Sequence, residues 1–279
     1  MRLIIAFLLL TLAPVVALPQ TTSVNQHFFQ DKCYSVQLSW QDGKVFGTNV
    51  FLKGLNAAGV PINHYQVLSV RLARQTTGTN LWEQLYRYPR CGVGFFVADF
   101  HSSELGMPMA AYGFMTGPIF RLNRFSLNYD FGIGLSFNWN TYDPVNNPYN
   151  IAVSSKVNSM AEGWISAEIR LIPQLNAGLE FGFNHFSNGA TILPNKGVNC
   201  CFLKYNLRYN LYSADPPEIR NQIQKFEPVN EWLIAWFNGF NESGAPQTTT
   251  PLVKQPTKPV FATGIFAIYH RQISYKSKI

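Results

Sequence analysis

The sequence predicts an all-β protein: an antiparallel transmembrane β-barrel, eight strands by the count of alternating runs, with a C-terminal extension. Three observations point there. From about residue 34 onward apolar and polar residues alternate with period two, the spacing that sends side chains to opposite faces of a strand. One of these runs, "FSLNYDFGIGLSFNWN" at 125–140, is far longer than the five or six residues of a usual soluble strand. Aromatic residues make up 15% of the chain and charged residues only 13%, about half the charged share of a soluble domain. Long alternating strands with an apolar, aromatic outward face suit a barrel wall in lipid.

The chain opens with "MRLIIAFLLLTLAPVVALPQ", where Arg2 precedes an apolar run and Val15-Val16-Ala17 offers a small-residue cleavage site. Residues 1–17 are expected to be a signal peptide. The apolar stretch ends at Pro14, short of the roughly 20 residues a spanning helix needs. Later apolar residues are interleaved with polar ones, so helical spans are not expected.

Alternation places strands at 34–53, 64–74, 90–100, 109–121, 125–140, 163–172, 175–188 and 198–212. Connections at 122–124 and 173–174 are short. Those at 54–63, 101–108, 141–162 and 189–197 are longer, as turns and outer loops alternate in outer-membrane barrels. The segment "QTTGTNLWEQLYRYP" breaks that rule as a long connection on the turn side. Inward positions include Asp130, Glu168, Arg170, Lys204 and Arg208, mixed charges suited to a packed polar interior. Eight strands leave room only for side chains, which argues against a pore.

The barrel is expected to occupy 18–212. Beyond Tyr212 the chain turns polar and proline-rich, so 213–279 reads as an extension, with alternation at 260–275 suggesting one extra strand. Trp232, Trp236 and Phe240 recur every fourth residue, which fits either a short amphipathic helix on a membrane surface or a strand or loop patch. Cys33, Cys91, Cys200 and Cys201 read as structural residues, with a Cys33–Cys91 bridge allowed in an oxidising compartment. The net charge of +7 suits either an anionic lipid partner or a merely basic surface; nucleic acid is not implied.

Within "FGFNHFSNGATILPNKGVN" at 181–199, strand parity puts His185 and Ser187 on the outward face, and Asn199 opens the outward face of the next strand. Three polar residues then share the rim of an otherwise apolar stripe. By spacing alone they could simply mark the membrane–water boundary.

The wider pattern, H185-F-S187-N188-G189 followed by N195-K-G197-V-N199 and an alternating strand, resembles the signature of the PagL-like lipid A 3-O-deacylases. The resemblance is specific over about 176–212 and does not reach the tail. It implies an outer-membrane serine esterase that hydrolyses an ester-linked acyl chain of lipopolysaccharide, with no metal or organic cofactor. Ser187 would be the nucleophile, His185 its general base and Asn195 a donor to the oxyanion. The family pattern has a glutamate orienting the histidine where this chain has Asn199, whose carbonyl can accept the imidazole N–H but adds no charge. Glu180 lies on the same strand with the wrong parity. The competing reading is a non-catalytic barrel, structural or adhesive, which would gain if Asn199 faced away from His185. A homodimer is compatible with either.

Overall fold

The computed structural model describes residues 33–212, 223, 225–242 and 259–278. The expected signal peptide at 1–17 lies outside them. Eight antiparallel strands close into a barrel: β1 Tyr34–Val45, β2 His64–Gln75, β3 Arg90–Asp99, β4 Met109–Leu122, β5 Phe125–Phe137, β6 Asn158–Ile172, β7 Leu175–Ser187 and β8 Val198–Asn210. Closure is made by β1 against β8, in register from Ser35↔Asn210 to Val45↔Cys200.

The outward positions form an apolar belt. Phe131, Ile133 and Leu135 on β5, Ile165 on β6, Phe181 on β7 and Leu207 on β8 are all exposed. Their inward neighbours, among them Asp130, Glu162, Glu168, Glu180, Lys204 and Arg208, are buried. A wall greasy outside and polar inside is inverted relative to a soluble protein, and only lipid solvates it well. Among the described residues no helix is long and apolar enough to cross a membrane.

The interior is filled in layers. Arg71 Nη2 lies 3.2 Å from Glu162 Oε1, and Lys204 Nζ lies 3.2 Å from Glu180 Oε2. Nearer the turns, Glu168 takes Arg90 across both of its oxygens, at 2.5 and 2.8 Å, and Arg208 on one of them at 3.0 Å. Each of these buried charges therefore has a counter-charge, the condition under which burial is tolerated. Toward the long loops the filling becomes aromatic: Phe186 makes edge contacts with Phe96, Phe100 and Trp139.

Several boundaries differ from expectation. β1 ends at Val45, not near 53, because the chain turns inward there and buries Phe51 and Leu52 beneath the loops. β6 starts at Asn158, not 163: its first outward residues, Ser159 and Ala161, are small and hide the alternation. β5 stops at Phe137, three residues short of the quoted run. The turn-side connection after β2 holds a short helix, α1 Leu81–Leu85, whose Glu83 accepts the N–H groups of Gly78 and Thr79.

None of the four cysteines is in a disulfide. The Cys33–Cys91 bridge is excluded by register: Cys33 caps the β1 end beside Gln75, while Cys91 pairs with Arg74 on the far side of β2. Two strand spacings, about 10 Å, exceed the roughly 7 Å limit for a disulfide.

Residues 232–240 form a strand rather than a helix. β9 Val229–Glu242 pairs with β10 Pro259–Ser274, and β11 Ser277–Lys278 adds a short third strand. Every-fourth spacing is also even spacing, so Trp232, Trp236 and Phe240 share a strand face as readily as a helix face. This sheet is separate from the closed barrel wall.

Candidate functional site

His185 and Ser187 end β7, and Asn199 begins β8, with the loop 189–197 between them. Register sets His185 directly opposite Asn199, on the same outward face. His185 Nδ1 lies 2.7 Å from Asn199 Oδ1. A carbonyl oxygen only accepts, so this contact puts the proton on Nδ1 and leaves Nε2 as the basic nitrogen.

Ser187 Oγ accepts two hydrogen bonds, from Asn195 Nδ2 at 2.9 Å and from the Gly189 backbone N–H at 3.1 Å. Its own proton remains to donate. Among the described residues no hydrogen bond joins Ser187 to His185. Asn195 is oriented in turn by the Asn188 N–H, which reaches its Oδ1 at 3.4 Å.

The site loop is held by other loops. The N–H groups of Lys196 and Gly197 donate to the carbonyls of Ile151 and Ala152, at 2.9 and 3.0 Å. Ile151 and Ala152 are buried in the cap over the barrel. At the mouth of β1, the Phe46 N–H donates to the Asn199 carbonyl at 2.9 Å, and the Phe46 ring stacks on Phe183 below His185. Rotamers and loop are thus fixed by buried structure, while the polar heads stay half-buried at the rim.

All four residues singled out from sequence, His185, Ser187, Asn195 and Asn199, are brought together, and Asn199 faces His185. Glu180 points inward and bonds to Lys204, away from the site. Two glycines inside the motif do more than the sequence reading assigned. Gly189, at φ +66°, presents its N–H to Ser187. Gly197, at φ +68°, lies against both functional side chains: a Cβ there would stand 2.9 Å from the Phe186 carbonyl oxygen, 3.5 Å from His185 Cε1 and 3.9 Å from Ser187 Cβ. Their positions in "SNG" and "NKG", typical turn sequences, were the available signal.

Outside the rim, the wall beside His185 is low. β6 presents Ser159, Ala161 and Gly163 opposite Ser187, His185 and Phe183. Gly163 meets no atom nearer than 3.9 Å where a side chain would stand, and below it Ile165, Phe181, Phe183 and Cys201 line an apolar depression.

Fold and site together define a membrane-spanning β-barrel with a serine–histidine–asparagine cluster on the lipid-facing rim. The family model for lipid A 3-O-deacylase (PagL) matches residues 67–210, more than half of the chain and all four of these positions. The protein belongs to the PagL family. A search of curated proteins found no match. Among solved structures, Neisserial surface protein A (NspA) matches at 8% identity and a TM-score of 0.40, over 63% of this chain and 96% of that one.

Proposed function

We propose that this chain is a serine esterase of the Gram-negative outer membrane that removes an ester-linked acyl chain from lipid A. The observation that carries the reading is the hydrogen-bonded cluster itself: His185 held through Nδ1 by Asn199, and Ser187 Oγ held by Asn195 and Gly189, on the wall face that meets lipid. A substrate whose acyl chains already lie in the membrane would reach this serine laterally.

In the reaction, Ser187 Oγ attacks the ester carbonyl carbon as its proton passes to His185 Nε2. The carbonyl oxygen becomes an oxyanion, and the Asn195 amide and Gly189 N–H, which converge on Ser187 Oγ, are the donors that would turn to it. Collapse expels the sugar alkoxide, which takes the proton from His185, and leaves the acyl group on Ser187. Water then attacks the acyl-enzyme with His185 again as base, releasing a fatty acid and restoring Ser187. Asn199 keeps the imidazole in the reactive tautomer, as in the Cys-His-Asn arrangement of other hydrolases. The low strip of Ser159, Ala161 and Gly163 gives the scissile acyl chain a path along the outer wall.

One observation favours the non-catalytic alternative: the orienting position holds an amide where the family pattern has a carboxylate. Mass spectrometry of lipid A from cells expressing the wild type, Ser187→Ala or His185→Ala decides between them. Loss of one acyl chain with the wild type and with neither variant is expected. An identical lipid A profile in all three, with the barrels assembled, would sink the enzyme reading.

A further inference from the structure

The outward face of the barrel changes character around its loop-side rim. On β1, β2 and β3 the outward positions nearest the long loops are Asp42, Lys44, His64, Gln66 and Asp99, and His101 follows where the chain leaves β3. On β4 and β5 the outward positions at that end are Met109 and Phe137, and on β6 they are Ser159 and Ala161. Strand β7, with His185 and Ser187, stands where the two arcs meet: the apolar one begins on β6, and the charged one is reached across Asn199 on β8.

The charged arc is ordered by its own contacts. His64 Nε2 lies 2.7 Å from Asp42 Oδ1, which also accepts the Gln66 amide at 3.3 Å. Asp99 Oδ1 accepts the His101 backbone N–H at 2.7 Å, and its other oxygen lies 3.4 Å from the imidazole Nδ1. The two imidazole rings stack, with centroids 5.3 Å apart and planes 4° from parallel. Each ring turns one nitrogen to a carboxylate and keeps the other for a ligand. Both histidines and Lys44 are exposed.

Register sets the height of this arc. Paired positions followed once around the barrel lead from Ser35 through Ala73 on β2 and on to Cys200 on β8, returning to β1 at Val45, ten residues nearer the loops. Each step from β7 to β8 to β1 to β2 therefore climbs toward the rim, by about 3 Å for a strand spacing near 4.8 Å and a tilt near 40°. One such row runs from Phe183 to Cys201, Lys44 and His64. It begins one outward position below His185, draws level with it at Lys44 and rises above it at His64. The charges thus stand at headgroup height beside the serine, where an ionised side chain avoids the cost of facing hydrocarbon.

We propose that this arc is the headgroup subsite of the esterase: the phosphorylated sugar of the lipid lies over β8, β1 and β2, and the scissile acyl chain runs the opposite way over β6. The proposal rests on the esterase reading of Ser187 and His185 and gives the substrate a direction across them. The scissile ester joins a polar sugar to an apolar chain, and the wall on either side of Ser187 is divided in the same sense. Lys44 and His64 are two and three strand spacings from β7, about 10 and 14 Å, a reach suited to one or two sugar rings. Lys44 supplies a point charge for a phosphate. The His64–Asp42 and His101–Asp99 pairs supply donors and acceptors for ring hydroxyls.

Binding is measured in detergent on the full chain carrying Ser187→Ala, with three probes: lipid A, lipid A stripped of its phosphates, and an ethyl ester of the same fatty acid. Adding Lys44→Ala should weaken lipid A at least about tenfold, the usual cost of one hydrogen bond to a charged group, and the stripped lipid less than about twofold. Adding His64→Ala together with His101→Ala should weaken both lipids about tenfold. The ethyl ester should bind all of these proteins alike. Unchanged lipid A affinity in both sets of variants would overturn the proposal, as would an equal loss for the ethyl ester, or a Lys44→Ala loss of the same size on the stripped lipid. With Ser187 intact, the same variants should raise KM on lipid A and leave kcat unchanged, the mark of lost uniform binding. A wild type that binds lipid A through the arc but cleaves neither ester would refute the esterase reading and leave the headgroup subsite standing.

Discussion

His185 and Asn199 face each other across β7 and β8, ring nitrogen to amide oxygen at 2.7 Å, on directly paired strand positions. The contact selects a tautomer without contributing a charge. Asn199→Leu should lower deacylation by about 100-fold or more, since loss of the orienting group in serine hydrolases costs up to ~10⁴. Asn199→Glu should hold or raise activity, because a carboxylate also stabilises the imidazolium. Initial rates on purified lipid A in detergent test both, and a folded glutamate variant with no activity would refute the orienting role.

Asn195 reaches Ser187 Oγ with its amide and has its own oxygen held by the Asn188 N–H. Asn195→Ala should reduce kcat by about 10²–10³ with KM little changed, the usual cost of one oxyanion donor. A fall in kcat/KM arising wholly from KM would assign Asn195 to binding instead.

Gly197 needs a left-handed backbone and has no room for a methyl group beside Phe186, His185 and Ser187. Gly197→Ala should cost activity at least about tenfold, as small displacements of reacting groups cost up to ~10². Gly189→Ala serves as the comparison. It has the same backbone strain at φ +66° but open space around it, so it should lose less. Equal losses would mean that strain alone matters at both positions.

Gly163 leaves the outer wall low between Phe131 on β5 and Phe183 on β7. Gly163→Leu should obstruct an acyl chain lying there, cutting activity on long-chain esters more than on short-chain ones. Released fatty acids are compared by mass spectrometry across a series of chain lengths. A uniform change across the series would remove this strip from the acyl path.

Glu168 is the shared partner of Arg90 and Arg208 inside the barrel. Glu168→Ala leaves two buried guanidinium groups without it, a loss of about 3–5 kcal/mol by comparison with other broken buried pairs. Urea unfolding in detergent, followed by gel mobility, should show a markedly earlier midpoint. An unshifted midpoint would mean that water reaches these groups from the turn-side mouth.

Strand parity was legible in the sequence wherever outward residues are large, because a period of two leaves side chains only two directions. "FSLNYDFGIGLSFNWN" announced β5, and the outward placement of His185, Ser187 and Asn199 followed from local counting alone. Parity failed where outward residues shrink, as at Ser159 and Ala161 on β6, and where apolar residues leave the wall to cap the interior, as at Phe51 and Leu52. Closure of β1 on β8, the pairing of each buried charge, and the separation of β9 and β10 from the wall were decided by tertiary structure, since each depends on residues far apart in the chain. The same holds for the site. The sequence determined which side chains face lipid at the rim; only the converging loops, anchored by Ile151 and Ala152, decided that Gly189 and Asn195 would point their N–H groups at one serine oxygen. Alternation is a property of a single strand, whereas the aim of a hydrogen bond is a property of the surfaces that strand is packed against.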